Sequence, residues 1–191
     1  DLNVAALRHL LRSRVRTVHR ARFLDSRPSL RHILDFDAKM VFLNAMVAWS
    51  ADLHARGKHL VLCGDFNVAR LPIDVHPILR KDMIGQSAPE RALIEKFLSY
   101  GLVDVHRQVR PDDDRLFTWW APWRNMRQRN IGWRLDYILA APGVAERVET
   151  CVVQADFGTS DHAPVVMTLD SGHSSGSGVI ARTRFKIASG S

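Results

Sequence analysis

Asp65, Asn67, Asp136, Asp161 and His162 are the residues of this chain whose types and placing could do hydrolytic chemistry. They stand in three short polar clusters: Gly64-Asp65-Phe66-Asn67, Gly132-Trp133-Arg134-Leu135-Asp136-Tyr137 and Ser160-Asp161-His162-Ala163-Pro164-Val165. Cleaving a phosphodiester bond needs an activated water in line with the leaving oxygen, and donors or cations on the non-bridging oxygens. Asp65, behind a permissive Gly64, can orient or deprotonate that water. Asn67, two residues on along an extended chain, points to the same side and can donate to a phosphate oxygen without adding charge. His162 can handle a proton or serve as a cationic donor, because its titration lies near neutral pH. Its tautomer needs a partner, and by role that is Asp136. Asp161 faces away from His162 on an extended strand unless a turn redirects it, and it suits a hard, oxygen-seeking cation such as Mg²⁺ or Mn²⁺. Alone, Gly-Asp-Phe-Asn reads as a turn, and Asp136 as a cap or a structural ion pair. The same strand-end context three times over favours one convergent site.

A second constellation lies between Phe117 and Arg134. Trp119, Trp120, Trp123 and Trp133, four of the chain's five tryptophans, are interleaved with Arg124, Arg127, Arg129 and Arg134. Arginines neutralise phosphates, and an aromatic plane or wedge fills the gap left by a displaced base or sugar. Trp120 reads as a core residue. The functional role is assigned to Trp133 and, after it, Trp119.

The elements that must position these residues are legible as apolar runs. His59 to Cys63 leads into Asp65, Tyr137 to Leu139 follows Asp136, and Pro164 to Met167 follows His162. Each reads as a buried strand. A helix capped by Asp37 carries Phe36, Met40, Leu43, Val47, Trp49 and Leu53 at helical spacing and stops near Gly57. Another runs from Ala88-Pro89-Glu90 to Tyr100, with Leu93, Ile94, Phe97 and Leu98 inward. Leu102 to Val105 is a short strand or a helix exit, Phe117 to Trp120 a strand, and Thr150 to Gln154 a further strand. Asp112-Asp113-Asp114 is a solvated turn. Widely separated strands alternating with helices make a mixed α and β fold.

At 191 residues, 46% hydrophobic and 25% charged, the chain can bury a real core, which excludes wholesale disorder. No apolar run approaches the roughly 18 to 20 residues of a membrane helix, and no leader pattern is read at the start, so an intracellular protein is expected. Cys63 and Cys151 read as buried free thiols. The net charge of +7 favours an anionic partner such as nucleic acid. Residues 1–34 hold eight arginines against two aspartates. They form either a phosphate-binding arm or a solvated helix, over Leu2 to Leu11, with an irregular connector broken at Pro28. Four segments result: this arginine-rich stretch, a catalytic-type domain at 35–170, a Gly/Ser linker at 171–178, and a strand-like tail at 179–191.

Taken in order, Gly64-Asp65-Phe66-Asn67-Val68-Ala69 with Ile73-Asp74, then Phe117-Thr118-Trp119-Trp120, then Arg129-Asn130-Ile131-Gly132-Trp133-Arg134-Leu135-Asp136-Tyr137, then Ser160 to Val165, resemble the exonuclease III class of apurinic/apyrimidinic endonucleases. That class belongs to the endonuclease/exonuclease/phosphatase superfamily, and the resemblance covers roughly residues 35–170. It implies a four-layered α/β sandwich, two packed mixed sheets with outer helices, incomplete in this chain. It implies Mg²⁺-dependent cleavage of double-stranded DNA 5′ to abasic sites, often with 3′-phosphodiesterase or 3′→5′ exonuclease activity, by a monomer in the nucleus, the cytoplasm or nucleoid, or the mitochondrion. Carried over, Asp65 and Asn67 match the water-activating and transition-state residues, His162 the catalytic histidine, Asp136 the aspartate orienting it, and Asp161 an aspartate beside the metal. Trp119, Trp133 and Leu135 match the pocket for the extrahelical sugar, with Arg134, Arg129 and Asn130 on its DNA side. The family's opening strands, with their metal-site Asn, metal-binding Glu and Tyr, are not recognisable before Asp35. Arg184 to Ser189 looks like the first of them cut off before its Asn, or is a basic tail. A catalytically inactive nucleic-acid-binding homologue is the alternative reading.

Overall fold

The computed structural model describes residues 30–170 and 185–186. The helix expected over Leu2 to Leu11, the break at Pro28 and the Gly/Ser linker lie outside them. Two compact units are distinguished, Asp1–Asp37 and Ala38–Ser191, and the site belongs to the second.

Helix α1, Leu30–Ala55, starts well before Asp37, which is exposed inside it rather than capping it. The preceding Leu-Arg-His-Ile-Leu stretch holds good helix formers and no breaker, so the helix propagates through the expected cap and across the 34/35 boundary. Leu43 and Val47 recur on one face and are buried. Gly57, at φ 68°, ends the helix by letting the Lys58 N–H return to the Leu53 carbonyl at 3.0 Å. Strand β1, Val61–Asp65, follows. Helix α2, Ala88–Ser99, opens on Ser87 with Glu90 three residues on, a capping box, and buries Leu93, Ile94 and Phe97.

Short β2, Val103–Asp104, feeds the five-residue helix α3, Val105–Val109. The remaining elements are β3 (Asp136–Ala140), α4 (Pro142–Ala145), β4 (Val148–Val153), β5 (Val165–Leu169) and β6 (Phe185–Lys186). The strands form two sheets, ordered β1-β3-β2 and β4-β5-β6. Every pairing among the described residues is antiparallel. The tail contributes one short pairing, Lys186 opposite Val166 and Phe185 opposite Met167.

Strand β3 is buried throughout, because both of its faces are covered. Tyr137 and Leu139 pack with Leu43, Val47, Leu93 and Phe97 of the helices. Ile138 and Ala140 pack with Cys151, Val165 and Met167 of the second sheet. Helices, sheet and second sheet therefore stack in layers around β3, an α/β sandwich in abridged form. Both cysteines are free. Cys151 is buried as expected, but Cys63 is exposed, since on edge strand β1 the face carrying Val61, Cys63 and Asp65 is covered only at Val61. No strand forms at Phe117 to Trp120, which is held instead by isolated bridges from Trp119 to Trp133 and to His162.

One buried group stands out. His106 of α3 is fully buried and neither ring nitrogen has a hydrogen-bond partner. Burial, then the Arg134 guanidinium, push its pKa from 6.5 down to about 4 against the pull of Asp104 and Asp74. The unfolded chain thus takes up this proton earlier than the folded one. The associated stability is intact above pH 6.5, is lost as pH falls from there to about 4, and then levels off. The loss amounts to about 3 kcal/mol. His106→Phe is expected to remove this part of the acid sensitivity, checked by urea unfolding at neutral pH and near pH 4. An unchanged pH dependence in the variant would refute the assignment.

Candidate active site

Asp65 is the last residue of β1 and Asp136 the first of β3, and the antiparallel register makes them Cα partners. Two carboxylates, 71 residues apart in the chain, therefore meet at one end of the first sheet. His162 precedes β5 of the second sheet and reaches the same place through its bridge to Trp119. The buried Thr118 ties these pieces together. Its Oγ1 accepts the N–H groups of Leu135 at 2.9 Å and Asp136 at 3.0 Å, and its carbonyl accepts the Ala163 N–H at 2.8 Å. Thr118 stood in view within Phe-Thr-Trp-Trp, a lone hydroxyl in an aromatic run, but sequence reasoning gave it no role.

His162 Nδ1 lies 2.8 Å from Asp136 Oδ2 and its Nε2 lies 3.9 Å from Asp65 Oδ2. Asp136 and His162 are buried, Asn67 is exposed, and the Asp65 side chain is only 29% exposed although its backbone is open to solvent. The set is therefore open on its Asp65 side while that carboxylate is still partly desolvated. Burial would lower the His162 pKa, but the hydrogen bond and charge of Asp136, followed by Asp65 and Asp161, raise it above its ordinary value. Asp65 is raised to about 6, by desolvation first and Asp136 second, against His162, the Asn67 N–H and Lys39. Asn67 adopts the left-handed conformation at φ 52°. Its N–H donates to Asp65 Oδ1 at 2.7 Å and its side-chain amide to Oδ2 at 2.8 Å. Both oxygens of Asp65 are thereby aimed, and the second amide proton of Asn67 is left for another acceptor.

Asp161 does turn toward the site, because the bend at residues 159–161 breaks the extended alternation. Its Oδ2 accepts the Trp119 indole N–H at 3.0 Å. Trp119 and Trp133 meet edge to face, with ring centroids 6.0 Å apart. Trp133 and Leu135 are buried in a cluster with Ala69 and Val75, and Trp119 is half-buried against it. Gly132 is required here: a Cβ would come within 2.5 Å of the Trp119 carbonyl oxygen.

Two arginines of the aromatic stretch do not face outward as expected. Arg134 is fully buried, bonded through Nε and Nη2 to Asp74 and through Nη1 and Nη2 to Asp104, all within 3.0 Å, with Arg107 completing the network on Asp74. Its role on the DNA side is therefore set aside: on an extended Trp133-Arg134-Leu135 the arginine points opposite to its apolar neighbours. Arg127 is likewise consumed, donating to the carbonyls of Ala155, Ser160 and Phe157 while lying 5.0 Å from the Trp120 ring. Trp120 is buried, as the sequence implies. Asn130 accepts from the Trp120 indole and donates to the Arg115 carbonyl, so it braces the loop. Arg124, Arg129 and Trp123 remain exposed.

The resemblance implies a divalent cation, with Asp161 beside it. Among the described residues no group of three or more His, Cys, Asp or Glu side chains converges as a metal shell. Asp161 already serves Trp119, and both oxygens of Asp65 serve Asn67. Each of these oxygens keeps a further lone pair, so Asp161 and Asp65 would still be able to hold a cation, but the described residues alone do not form a complete shell.

Asp65, Asn67, Asp136 and His162 are thus gathered at one end of the two packed sheets. The chain belongs to the endonuclease/exonuclease/phosphatase family, whose model matches residues 2–162. It is similar to an exodeoxyribonuclease of Bacillus subtilis (strain 168), 35% identical over 143 residues, which are 74% of this chain and 56% of the relative. Among solved structures it is similar to the 3′ phosphatase NExo from Neisseria bound to a product DNA hairpin. There the identity is 32% and the TM-score 0.65, over 71% of this chain and 54% of that one. An AP endonuclease from Archaeoglobus fulgidus matches at 31% identity and a TM-score of 0.63, over 71% of this chain and 55% of that one. The chain thus spans about half the length of the relatives it matches.

Proposed function

We propose that this chain carries the catalytic centre of a DNA-repair phosphodiesterase that cleaves duplex DNA 5′ to abasic sites, with 3′→5′ exonuclease or 3′-phosphodiesterase activity alongside. The observation that carries this reading is the Asp65–His162–Asp136 line, with Asn67 fixed beside Asp65. Asp65, half-protonated only near pH 6, accepts the proton of an attacking water. The remaining Asn67 amide proton donates to a non-bridging phosphate oxygen. His162, held through Nδ1 by Asp136, presents Nε2 as a donor to the developing negative charge. The open side at Asp65 and Asn67 suits a polymer laid across the sheet end. Trp119 receives the displaced sugar at its accessible edge, and Arg124 and Arg129 meet phosphates. A relative that holds a DNA hairpin, and others named as nucleases, support DNA as the substrate. Mg²⁺ or Mn²⁺ belongs to this proposal as the cofactor that Asp161 would help hold and that would supply positive charge toward the phosphate, as do a monomeric state and an intracellular setting. No helix of the described residues is long and apolar enough to cross a membrane.

The alternative is a fold that binds nucleic acid without cutting it, which the net charge of +7 and the exposed Arg124 and Arg129 would serve equally well. One experiment separates the two: incubate the 191-residue chain with a duplex carrying a single synthetic abasic site, with Mg²⁺ and with EDTA. The nuclease reading expects an incision 5′ to the site that EDTA abolishes. Salt-sensitive binding with no incision supports the alternative.

A further inference from the structure

The residue that joins α1 to the catalytic turn is Lys39. Its Nζ donates to the Asn67 carbonyl oxygen at 2.6 Å and to Glu90 Oε1 at 2.5 Å, and its side chain is only 17% exposed. Glu90 is fully buried at the start of α2. Its Oε2 accepts the Gly85 N–H at 2.7 Å, the Ser87 N–H at 3.2 Å and the Ser87 hydroxyl at 2.6 Å. One carboxylate thus gathers the Gly85 turn, the cap of α2 and the ammonium of α1. The ammonium passes that anchorage on to Asn67.

What it holds there is a left-handed turn. Asn67 at φ 52° is in a conformation uncommon for residues with a side chain, though asparagine tolerates it better than most. Three hydrogen bonds fix it: the two from Asn67 to Asp65, and the one from Lys39 to its carbonyl. Removing Lys39 leaves Glu90 its three other donors but takes away its counter-charge, so part of the loss falls on stability. Lys39→Arg, which keeps the charge, separates that part from the effect on the turn.

We propose that Lys39 is a positioning residue: anchored by Glu90, its ammonium fixes the Asn67 carbonyl and so aims the Asp65–Asn67 pair at the reacting groups. This rests on the reading of Asp65 and Asn67 as catalytic. Lys39 touches no reacting atom itself, so its loss shows in turnover rather than in substrate affinity. A displacement on the order of 1 Å in such a pair lowers rate by about a hundredfold.

The test uses the 191-residue chain with Lys39→Met and Lys39→Arg, and two readouts. In nicking of the abasic duplex, Lys39→Met is expected to lose about ten- to a hundredfold in kcat with KM nearly unchanged, while Lys39→Arg, which keeps donors and charge, regains most of the rate. In ¹H–¹⁵N spectra, the backbone and side-chain amide signals of Asn67 are expected to move in Lys39→Met and to stay near their positions in Lys39→Arg. Lys39→Gln, shorter and uncharged, gives the same result if the methionine variant does not fold. Unmoved Asn67 signals with unchanged kcat would overturn the proposal. So would a raised KM at constant kcat, which would make Lys39 a substrate contact. If the unmodified chain nicks nothing, the nuclease reading fails, and the Asn67 signals still decide what Lys39 does.

Discussion

Asp65→Asn is expected to cut nicking of an abasic duplex by about 10² to 10⁴-fold, the range of a removed general base, with binding close to that of the unmodified chain. The amide is the same size and keeps one acceptor for Asn67, but its NH2 faces the other Asn67 donor, so one of the two hydrogen bonds is lost together with the group that takes up the water's proton. His162→Ala is expected to lose about 10² to 10³-fold, the effect of deleting one donor to the developing charge. The pH profile supplies an internal check. Asp65 is held at about 6 by burial and by Asp136, so kcat/KM of the unmodified chain is expected to rise through about that pH and Asp65→Asn to lose that limb. Turnover that survives either substitution would remove these residues from the roles given to them.

How much of this arrangement the sequence discloses depends on how local the cause is. Strands β1, β3 and β5 were legible because each is a short run of apolar residues with a polar cluster at one end. That Asp65 and Asp136 become register partners was not, because cross-strand pairing is a long-range choice that composition does not record. The start of α1 was misplaced for a local reason. Asp37 has the chemistry of a cap, but nothing from Leu30 to Phe36 stops a helix, and caps act only where the helix already ends. Arg134 shows the opposite failure. Among tryptophans and other arginines it reads as part of a nucleic-acid surface, yet Asp74 and Asp104, far away in sequence, claim its guanidinium. Lys39 and Glu90 were invisible for the same reason: each looks like an ordinary charge on a helix until the fold sets them together.

Asp74→Ala is expected to destabilise the chain by about 3 to 5 kcal/mol, the cost of stranding a buried charge. Asp74 is fully buried, and its carboxylate accepts from Arg107 and Arg134 and from the Leu71 N–H. Burial alone would raise its pKa, but the two guanidinium groups hold it below the ordinary carboxylate value. With Asp104 on the other side of Arg134 and Arg70 at the edge of the network, 3.5 Å from Asp104, removing Asp74 leaves a buried guanidinium that cannot shed its proton. Arg107 retains the carbonyls of Arg110, Pro111 and Asp113, so the unbalanced charge rests mainly on Arg134. Asp52→Ala is the comparison: the Asp52–Arg56 pair is a solvent-exposed i,i+4 pair and is expected to contribute under about 0.5 kcal/mol. Urea unfolding followed by circular dichroism measures both, and a loss below about 1 kcal/mol at Asp74 would mean that water reaches the network. The consequence for function follows from position. Arg134 adjoins Leu135 and precedes Asp136 by two residues, so loosening its anchor frees the start of β3. The carboxylate that orients His162 would lose its place before the chain as a whole unfolds.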